Sequence, residues 1–275
     1  MKKIKQLLKK ISMIDYMEKR YNAQNDLLNK RLSILEAMLS ELCALQGIEK
    51  KYCAACDKET PIFLPYPYAS KVTLDTLCPH CTSGKRHRAL AFYLENNTNW
   101  FNSNEASSSS VAKLLHFAAE EAFYNKFLRM KNIDYYPVDF NPDFPRKRDV
   151  VDIQNIKYSD DMFDFIICSH VLCSVPDDIK AMSELARVLK KDDLSALYIM
   201  ERLYDGETFS EIFRQNNFYY TYRTYGLDIV DRLKDAGFDV EIVRPNMSFT
   251  EQEILCYGLN REEYIFKCTV SKLTM

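Results

Sequence analysis

The chain has 275 residues, of which 47% are hydrophobic and 28% are charged, enough apolar side chains for one full-sized core and a smaller appendage. Its 37 basic and 39 acidic residues leave a net charge of -2, which excludes a bulk polyanion binder. No apolar run approaches the roughly 20 residues that span a bilayer, and lysines interrupt the first ten residues, unlike a signal peptide. Nine cysteines favour reduced thiols or bound metal over a secreted disulfide framework. These features predict a cytoplasmic protein.

The first element, residues 1–50, is predicted to be a long N-terminal helix. Apolar residues recur in alternating steps of three and four from Ile4 to Leu42, and Asn25 takes a core position where a buried amide favours paired strands. The pattern predicts a coiled-coil homodimer through residues 4–42. Three alternatives stay open: a helix that lies on its own domain, a broken pair of helices, and a lysine-rich segment in weak contact with a membrane surface.

The second element, residues 51–102, contains two C-x-x-C pairs with 21 residues between them. Each pair brings two thiolates to one ion from a tight turn, and four thiolates form the closed tetrahedral shell of structural zinc. The predicted ligands are Cys53, Cys56, Cys78 and Cys81. A redox site is a weaker interpretation, because it expects one pair beside a strand-helix turn. A helix over residues 85–100 completes this predicted zinc-ribbon module.

The third element, residues 111–275, follows a polar linker at 103–110 and alternates short apolar runs with helical patterns. The predicted strands are 111–118, 133–138, 149–153, 162–169, 194–200, 238–243 and 263–270. Helices are predicted to about residue 131 and over 176–190 and 226–236. This alternation predicts a mostly parallel sheet with right-handed crossovers. Ligands of such sheets bind at the carboxyl ends of the strands.

Five blocks of sequence occur in an order typical of one enzyme family. In chain order they are CPHCTSGKRHRAL with KLLHFAAE (78–90, 113–120), SDDMFDFIICSHVL (159–172), VPDD (175–178), RVLK (187–190), and RTYG with RLKDAGF (223–226, 232–238). With these blocks the chain resembles the bacterial class I S-adenosylmethionine-dependent methyltransferases with an N-terminal zinc ribbon, which are methyltransferase type 11-like. The resemblance covers about residues 53–270.

The resemblance implies an α/β protein with a Rossmann-like seven-stranded, mostly parallel sheet and S-adenosylmethionine over the ends of its first strands. By this similarity Phe117, Ala118 and Glu120 line the methionine and ribose region. Asp139 accepts hydrogen bonds from the ribose hydroxyls, since a carboxylate pairs well with a vicinal diol. A turn or helix-cap role is the alternative for Asp139.

The same resemblance places the rest of the site after the third and fourth strands. Asp152 and Ile153 border the adenine, with a turn role as the alternative for Asp152. Ser169 and His170 face the sulfonium and the acceptor, and His170 is the candidate catalytic base for a hydroxyl acceptor. A purely structural histidine is the alternative for His170.

The chain also departs from its family. Ordinary class I methyltransferases have a Gly-rich turn after the first strand, and the zinc-ribbon family that the chain resembles tends to have a proline and an acid there; this chain has His116-Phe117-Ala118-Ala119-Glu120-Glu121. Cys173 and Ser174 stand where the family usually has an acid and a histidine. The basic cluster at 85–88 is either a reader of phosphate or carboxylate on the acceptor or a charged helix start. The aromatic stretch at 218–225 is either a sugar-stacking lid or ordinary packing.

These observations favour O-methylation of a small or glycan-linked acceptor, with a structural zinc and a dimerising N-terminal helix. The alternative from another class is a catalytically inactive binding or scaffold subunit with the same fold. Nucleic acid is not an expected partner, because the body of the chain is net acidic.

Overall fold

A computed structural model provides the structure of the chain. It describes residues 49–68, 71–101, 111–214 and 220–270, together with part of a helical segment between 26 and 47. Among the described residues, every helix is too short or too polar to span a bilayer.

The chain divides into two units, residues 1–51 with 59–62 and residues 52–58 with 63–275. In the first unit the described residues from Asp26 to Leu45 are helical. The predicted heptad positions before Asp26 lie outside the described residues. The coiled coil and the dimer therefore stay predictions.

Short strands flank the two cysteine pairs. They are β1 (Lys51–Cys53), β2 (Lys58–Thr60), β3 (Leu64–Tyr68) and β4 (Lys71–Leu77), and helix α1 (Lys85–Asn97) follows them. Strands β3 and β4 form an antiparallel hairpin. The tight turn from Cys78 to Ser83 then leads into α1. The predicted layout of short strands, knuckles and a helix is observed, and α1 ends three residues earlier than expected.

The second unit is organised by a seven-stranded sheet. Its strands are β5 (Ala112–Phe117), β6 (Ile133–Asp139), β7 (Asp149–Val150), β8 (Phe165–Ser169), β9 (Ala196–Met200), β12 (Phe238–Val243) and β13 (Ile265–Val270). A separate antiparallel hairpin consists of β10 (Phe209–Arg214) and β11 (Tyr220–Thr224). The order across the large sheet is β12-β13-β9-β8-β5-β6-β7, and within it β13 alone runs against the other strands. This confirms the predicted Rossmann-like, mostly parallel sheet.

Four further helices complete the unit. They are α2 (Glu121–Phe127), α3 (Asp178–Val188), α4 (Ile229–Asp235) and α5 (Glu251–Tyr257). The Asp177 side chain caps α3 by accepting a hydrogen bond from Lys180 N, because an acid at this position satisfies an unpaired helix N–H group. The predicted start of α3 at Pro176 is therefore two residues too early. Helix α5 has a capping box formed by Thr250 and Glu253 and ends at Gly258 with a φ of 56°.

The strands β8 and β9 are buried along their whole length, as expected for parallel strands covered on both faces. In β8, Ile166 and Cys168 belong to one apolar cluster, and Phe165 and Ile167 belong to the other. This alternation follows from the two-residue period of a strand. The sheet therefore has a core on each face.

The hairpin β10–β11 and helix α5 were not predicted from the sequence. In β10, Phe209 and Ile212 are 41% and 68% exposed, so its apolar residues do not mark a buried face. In β11 the buried residues are Thr221 and Arg223, which are poor signals of a core strand. The tyrosine-rich stretch packs in part, since Tyr225 is fully buried.

Candidate functional site

The strand register aligns the predicted site residues along one edge of the sheet. Phe117 pairs with Val138 of β6 and with Cys168 of β8. One residue further on, Ala118 directly follows β5, and it lies between Asp139 and Ser169, the last residues of β6 and β8. Asp152 and Ile153 follow β7 at the same edge, beyond Val150, which pairs with Asp139. The carboxyl ends of four neighbouring parallel strands thus carry the predicted residues, where the crevice of such a sheet lies.

Two residues at this edge have left-handed backbones. Ala118 has a φ of 51° and His170 a φ of 54°, values that glycine adopts freely and other residues adopt at a cost. Ala118 N is held by Val138 O at 2.9 Å, and His170 N by Met200 O at 2.8 Å. In the turn after β5, Ala118 therefore adopts the left-handed backbone conformation that a glycine usually takes. Such strained positions cluster at functional sites.

Asp139 and Asp152 each support a turn of their own segment. Asp139 is 3% exposed, and its Oδ1 accepts a hydrogen bond from Asn141 N at 2.7 Å. Asp152 Oδ1 accepts from Gln154 N at 2.9 Å. These are the turn roles that the sequence left open. Each carboxylate has a second oxygen, so a turn role and a ligand role are compatible.

The Ser169 hydroxyl is a buried polar group at the end of β8. Its Oγ atom has no hydrogen-bond partner within the described ranges. Buried hydroxyls normally have a partner, so an orphaned one calls for a bound group or water. Its location beside Ala118 and His170 suits a ligand that lies across the ends of β5 and β8.

Glu120 is engaged inside the protein. Its Oε2 lies 2.9 Å from His116 Nε2, and its Oε1 lies 3.3 Å from His87 Nε2. His87 Nδ1 accepts a hydrogen bond from Gly84 N, so the other ring nitrogen, Nε2, carries the proton. Although burial opposes ionisation, the two histidines hold the pKa of Glu120 well below its usual range. The two Glu120 oxygens thus contact one histidine of α1 and one histidine of β5.

His170 is a poorly basic histidine. Burial lowers its pKa to about 3, and the charges of Arg86 and His87 act in the same direction. The imidazole is therefore neutral at physiological pH, and it holds a proton far less readily than an exposed histidine does.

Glu201 was not identified from the sequence, although it directly follows the buried strand β9. It is 6% exposed, and its Oε1 accepts hydrogen bonds from the N–H groups of Leu172 at 2.8 Å and Cys173 at 3.4 Å. Burial raises its pKa to about 7. A perturbed carboxyl at a strand end is a candidate for acid-base chemistry. Its signal in the sequence is an acid immediately after an apolar strand.

Arg223 binds the same loop after β8 through its carbonyl groups. Its Nη1 donates to Leu172 O at 3.0 Å and to Val175 O at 2.6 Å, and its Nη2 donates to Pro176 O at 2.6 Å. Two side chains therefore hold the loop that carries His170 and Cys173. The Glu201 carboxylate accepts from its N–H groups, and the Arg223 guanidinium donates to its carbonyls.

Asp178 anchors the other end of this loop at the start of α3. Its Oδ2 accepts hydrogen bonds from Tyr225 Oη at 2.8 Å and Arg232 Nε at 2.9 Å. Burial opposes ionisation, but Arg232 and Tyr225 hold the pKa of Asp178 below its usual range. The RTYG and RLKDAGF blocks of the sequence thus hold this loop by hydrogen bonds and ion pairs from Arg223, Tyr225 and Arg232.

The four predicted metal ligands come together. All four Sγ atoms lie within 4.8 Å of one another, and the Cys53–Cys81 and Cys56–Cys78 Sγ pairs are each 3.8 Å apart. Tetrahedral zinc with Zn–S bonds of about 2.3 Å needs sulfurs about 3.8 Å apart. The donor set therefore fits zinc.

Both cysteine pairs use the same turn. Asp57 and Thr82, each directly after the second cysteine of its pair, have φ values of 58° and 56°. The N–H group of each bonds to the carbonyl of the first cysteine at 2.9 Å. The Ser83 hydroxyl lies 3.2 Å from both Cys53 Sγ and Cys81 Sγ.

Arg88 joins the cysteine module to helix α5. Its side chain is fully buried and donates to Ser83 O at 2.7 Å, Thr76 O at 3.0 Å, Tyr257 O at 3.0 Å and Gly258 O at 2.6 Å. Gly258 allows this close approach, because a Cβ there would lie 2.9 Å from Arg88 Nη2. Of the predicted basic cluster, Arg88 and His87 are therefore structural.

The order of the seven strands, with one reversed strand, defines a Rossmann-like methyltransferase fold. Residues 115–196 match the family model described as a methyltransferase domain. The match covers 82 of the 275 residues and identifies this part of the chain as a methyltransferase domain. Among curated proteins, none matches the sequence significantly.

Solved structures resemble the chain at low identity. The YcgJ protein from Bacillus subtilis is 11% identical with a TM-score of 0.42, and the match covers 67% of this chain and 99% of that one. A SAM-dependent methyltransferase from Aquifex aeolicus is 16% identical with a TM-score of 0.40, over 58% and 84% of the two chains. These likenesses are too distant to say anything of cofactor or substrate.

Proposed function

We propose that the protein transfers a methyl group from S-adenosylmethionine to a hydroxyl of a small or glycan-linked acceptor in the cytoplasm. The observation that carries this proposal is the alignment of Ala118, Asp139 and Ser169 at the ends of adjacent strands in a methyltransferase domain. The orphaned Ser169 hydroxyl supports a ligand at this edge.

The residues at the edge fit the cofactor. Asp139 would receive the ribose hydroxyls, Asp152 and Ile153 would border the adenine, and Phe117 and Ala118 would line the methionine region. When bound, S-adenosylmethionine supplies a methyl group on a positively charged sulfur. Glu120 contributes indirectly, because its oxygens are engaged by His87 and His116.

Two side chains at the end of β8 and β9 are candidates for the base. His170 is the one that the resemblance favours, but its pKa of about 3 makes it a weak proton acceptor. Glu201, with a pKa of about 7, has the affinity for a proton that suits a base at neutral pH. We propose that Glu201 accepts the proton of the acceptor hydroxyl and that His170 positions the acceptor.

We propose that Cys53, Cys56, Cys78 and Cys81 hold one structural zinc ion. Four thiolates leave no coordination position for water or substrate, so the ion would stabilise the module without taking part in the reaction. The matching knuckle turns and sulfur spacing support this assignment.

The division into a helix at 1–50, a zinc module at 51–102 and a methyltransferase domain at 111–275 is also proposed. The N-terminal helix would pair two chains through residues 4–42. Deletion of residues 1–45 should then halve the mass measured by light scattering, and an unchanged mass would exclude the pairing.

Calorimetric titration of the zinc-loaded protein with S-adenosylhomocysteine tests the proposed function. We expect binding by the wild-type protein and a loss of at least about tenfold in Asp139→Ala, since the ribose loses charge-assisted hydrogen bonds. Asp143→Ala, which removes a carboxylate from the loop after β6, is the matched control. A folded wild-type protein that binds no cofactor would favour the alternative of a catalytically inactive scaffold subunit.

A further inference from the structure

Arg86 lies in the first turn of α1, and its guanidinium has no hydrogen bond or ion pair to any residue in the described ranges. Its Nε atom is buried and unbonded there. The adjacent residues differ, because His87 and Arg88 are both bonded to the chain. Buried N–H groups normally have a partner, so Arg86 has donor capacity for a bound group.

The Arg86 charge lowers the pKa of groups on one half of the sheet's carboxyl edge. Besides its neighbour His87 on α1, they are His170 after β8, Glu201 after β9 and Glu263 before β13. In the sheet β8, β9 and β13 are neighbours, whereas Asp139 and Asp152 follow strands on the other side of β5. With the adenosine over β6 and β7, Arg86 lies on the half left for the acceptor.

The two carboxyl groups in this region do not neutralise Arg86. Neither Glu201 nor Glu263 forms an ion pair with it in the described part of the chain. Burial raises the pKa of both carboxyls, although Arg86 opposes each shift. The guanidinium is thus left as a positive group without a bonded anion.

The geometry of the side chain indicates what it binds. A guanidinium presents five N–H donors in a planar fork that matches two oxygens of a carboxylate or a phosphate. Charge-assisted bonds of this kind are short and about twice as strong as neutral ones. A neutral hydroxyl would leave most of this donor capacity unused.

We propose that Arg86 binds an oxyanion, a carboxylate or a phosphate, carried by the methyl acceptor. This inference rests on the proposed function, and it narrows the acceptor from any hydroxyl compound to an anionic one, such as a sugar acid or a sugar phosphate. The zinc module would then contribute a residue to substrate recognition, because α1 is the helix of that module.

The test is calorimetric titration of the full-length protein, saturated with S-adenosylhomocysteine, with inorganic phosphate and separately with acetate. We expect one of the two anions to bind the wild-type protein, and Arg86→Met to weaken that binding by about tenfold or more. Arg129→Met, which removes an exposed arginine after α2, should bind the anion like wild type. Arg86→Lys keeps the charge and should retain part of the affinity.

Three results would overturn the proposal. The first is no binding of either anion to the wild-type protein, and the second is equal binding to wild type and Arg86→Met. The third is a tenfold loss of S-adenosylhomocysteine affinity in Arg86→Met with no loss for methylthioadenosine, which has no carboxylate. Arg86 would then serve the cofactor. If the wild type binds no cofactor, the proposed function fails, and phosphate titration of the free protein still tests Arg86.

Discussion

Replacement of Glu201 by glutamine should remove a pH-dependent loss of stability. Glu201 is 6% exposed, and its carboxylate accepts hydrogen bonds from the N–H groups of Leu172 and Cys173. Burial raises its pKa from 4.5 to about 7 even though those N–H groups favour the ionised form. Glutamine keeps an oxygen for the same hydrogen bonds and has no charge to desolvate.

The magnitude follows from the difference between the folded and unfolded pKa values. Below pH 4.5 the carboxyl is protonated in both states and its burial carries no charge penalty. As the pH rises toward about 7, the unfolded chain releases the proton first, so the unfolding free energy falls. Each pKa unit corresponds to about 1.4 kcal/mol, which gives a total loss of about 3 kcal/mol above the folded pKa.

Urea unfolding of wild type and Glu201→Gln at about pH 4 and about pH 8 measures this effect. We expect equal stability at the lower pH and a variant more stable by about 3 kcal/mol at the higher pH. Wild type and variant are compared with each other at the same pH. Any release of zinc by acid therefore affects both proteins and cancels in the difference. Glu241→Gln, at an exposed position of β12, should match wild type throughout. Equal stability of Glu201→Gln and wild type at both pH values would refute the reasoning.

The remaining predictions concern the metal site and two buried arginines. Elemental analysis should find one zinc per chain and a loss of that zinc in Cys78→Ser; a folded, metal-free wild type would exclude the site. Arg88→Met should lower the unfolding free energy by about 3 to 5 kcal/mol, because four backbone carbonyls lose a buried charged donor; a urea-unfolding difference below about 1 kcal/mol would contradict this. Arg223→Met should speed hydrogen exchange in the loop 171–177, because Arg223 holds the carbonyls of Leu172, Val175 and Pro176, and unchanged exchange would show that other contacts hold the loop.

The fold was predictable because its central strands are apolar throughout. Runs such as Phe165–Ser169 and Ala196–Met200 must be buried on both faces, which only a parallel sheet with flanking helices provides. Once these strands are assigned, their last residues mark the crevice. Asp139 and Ser169 follow from that rule, and the structure places them on either side of the end of β5.

The metal ligands were predictable for another reason. Coordination fixes the spacing of cysteines within each pair, so the sequence alone shows the chemistry. For the other polar residues, no spacing in the sequence shows which side chains they contact in the folded protein. Glu120 pairs with His87 from another element, and nothing in the sequence distinguishes that role from a cofactor contact.

Three adjacent residues in α1 illustrate the same limit. Arg86, His87 and Arg88 are similar in sequence, yet His87 and Arg88 are bonded to the chain while Arg86 has no described partner. Their roles depend on which direction each side chain takes from the helix. Arg223 is comparable, because its target is a set of carbonyls almost fifty residues away in the chain.

The central claim is that the cofactor lies across the carboxyl ends of β5, β6 and β7. A crystal structure of the protein with S-adenosylhomocysteine tests it most directly. We expect both ribose hydroxyls on the Asp139 carboxylate, the adenine beside Asp152 and Ile153, and the sulfur near Ser169. A complex with the ligand elsewhere, or with Asp139 directed away from the ribose, would contradict the account.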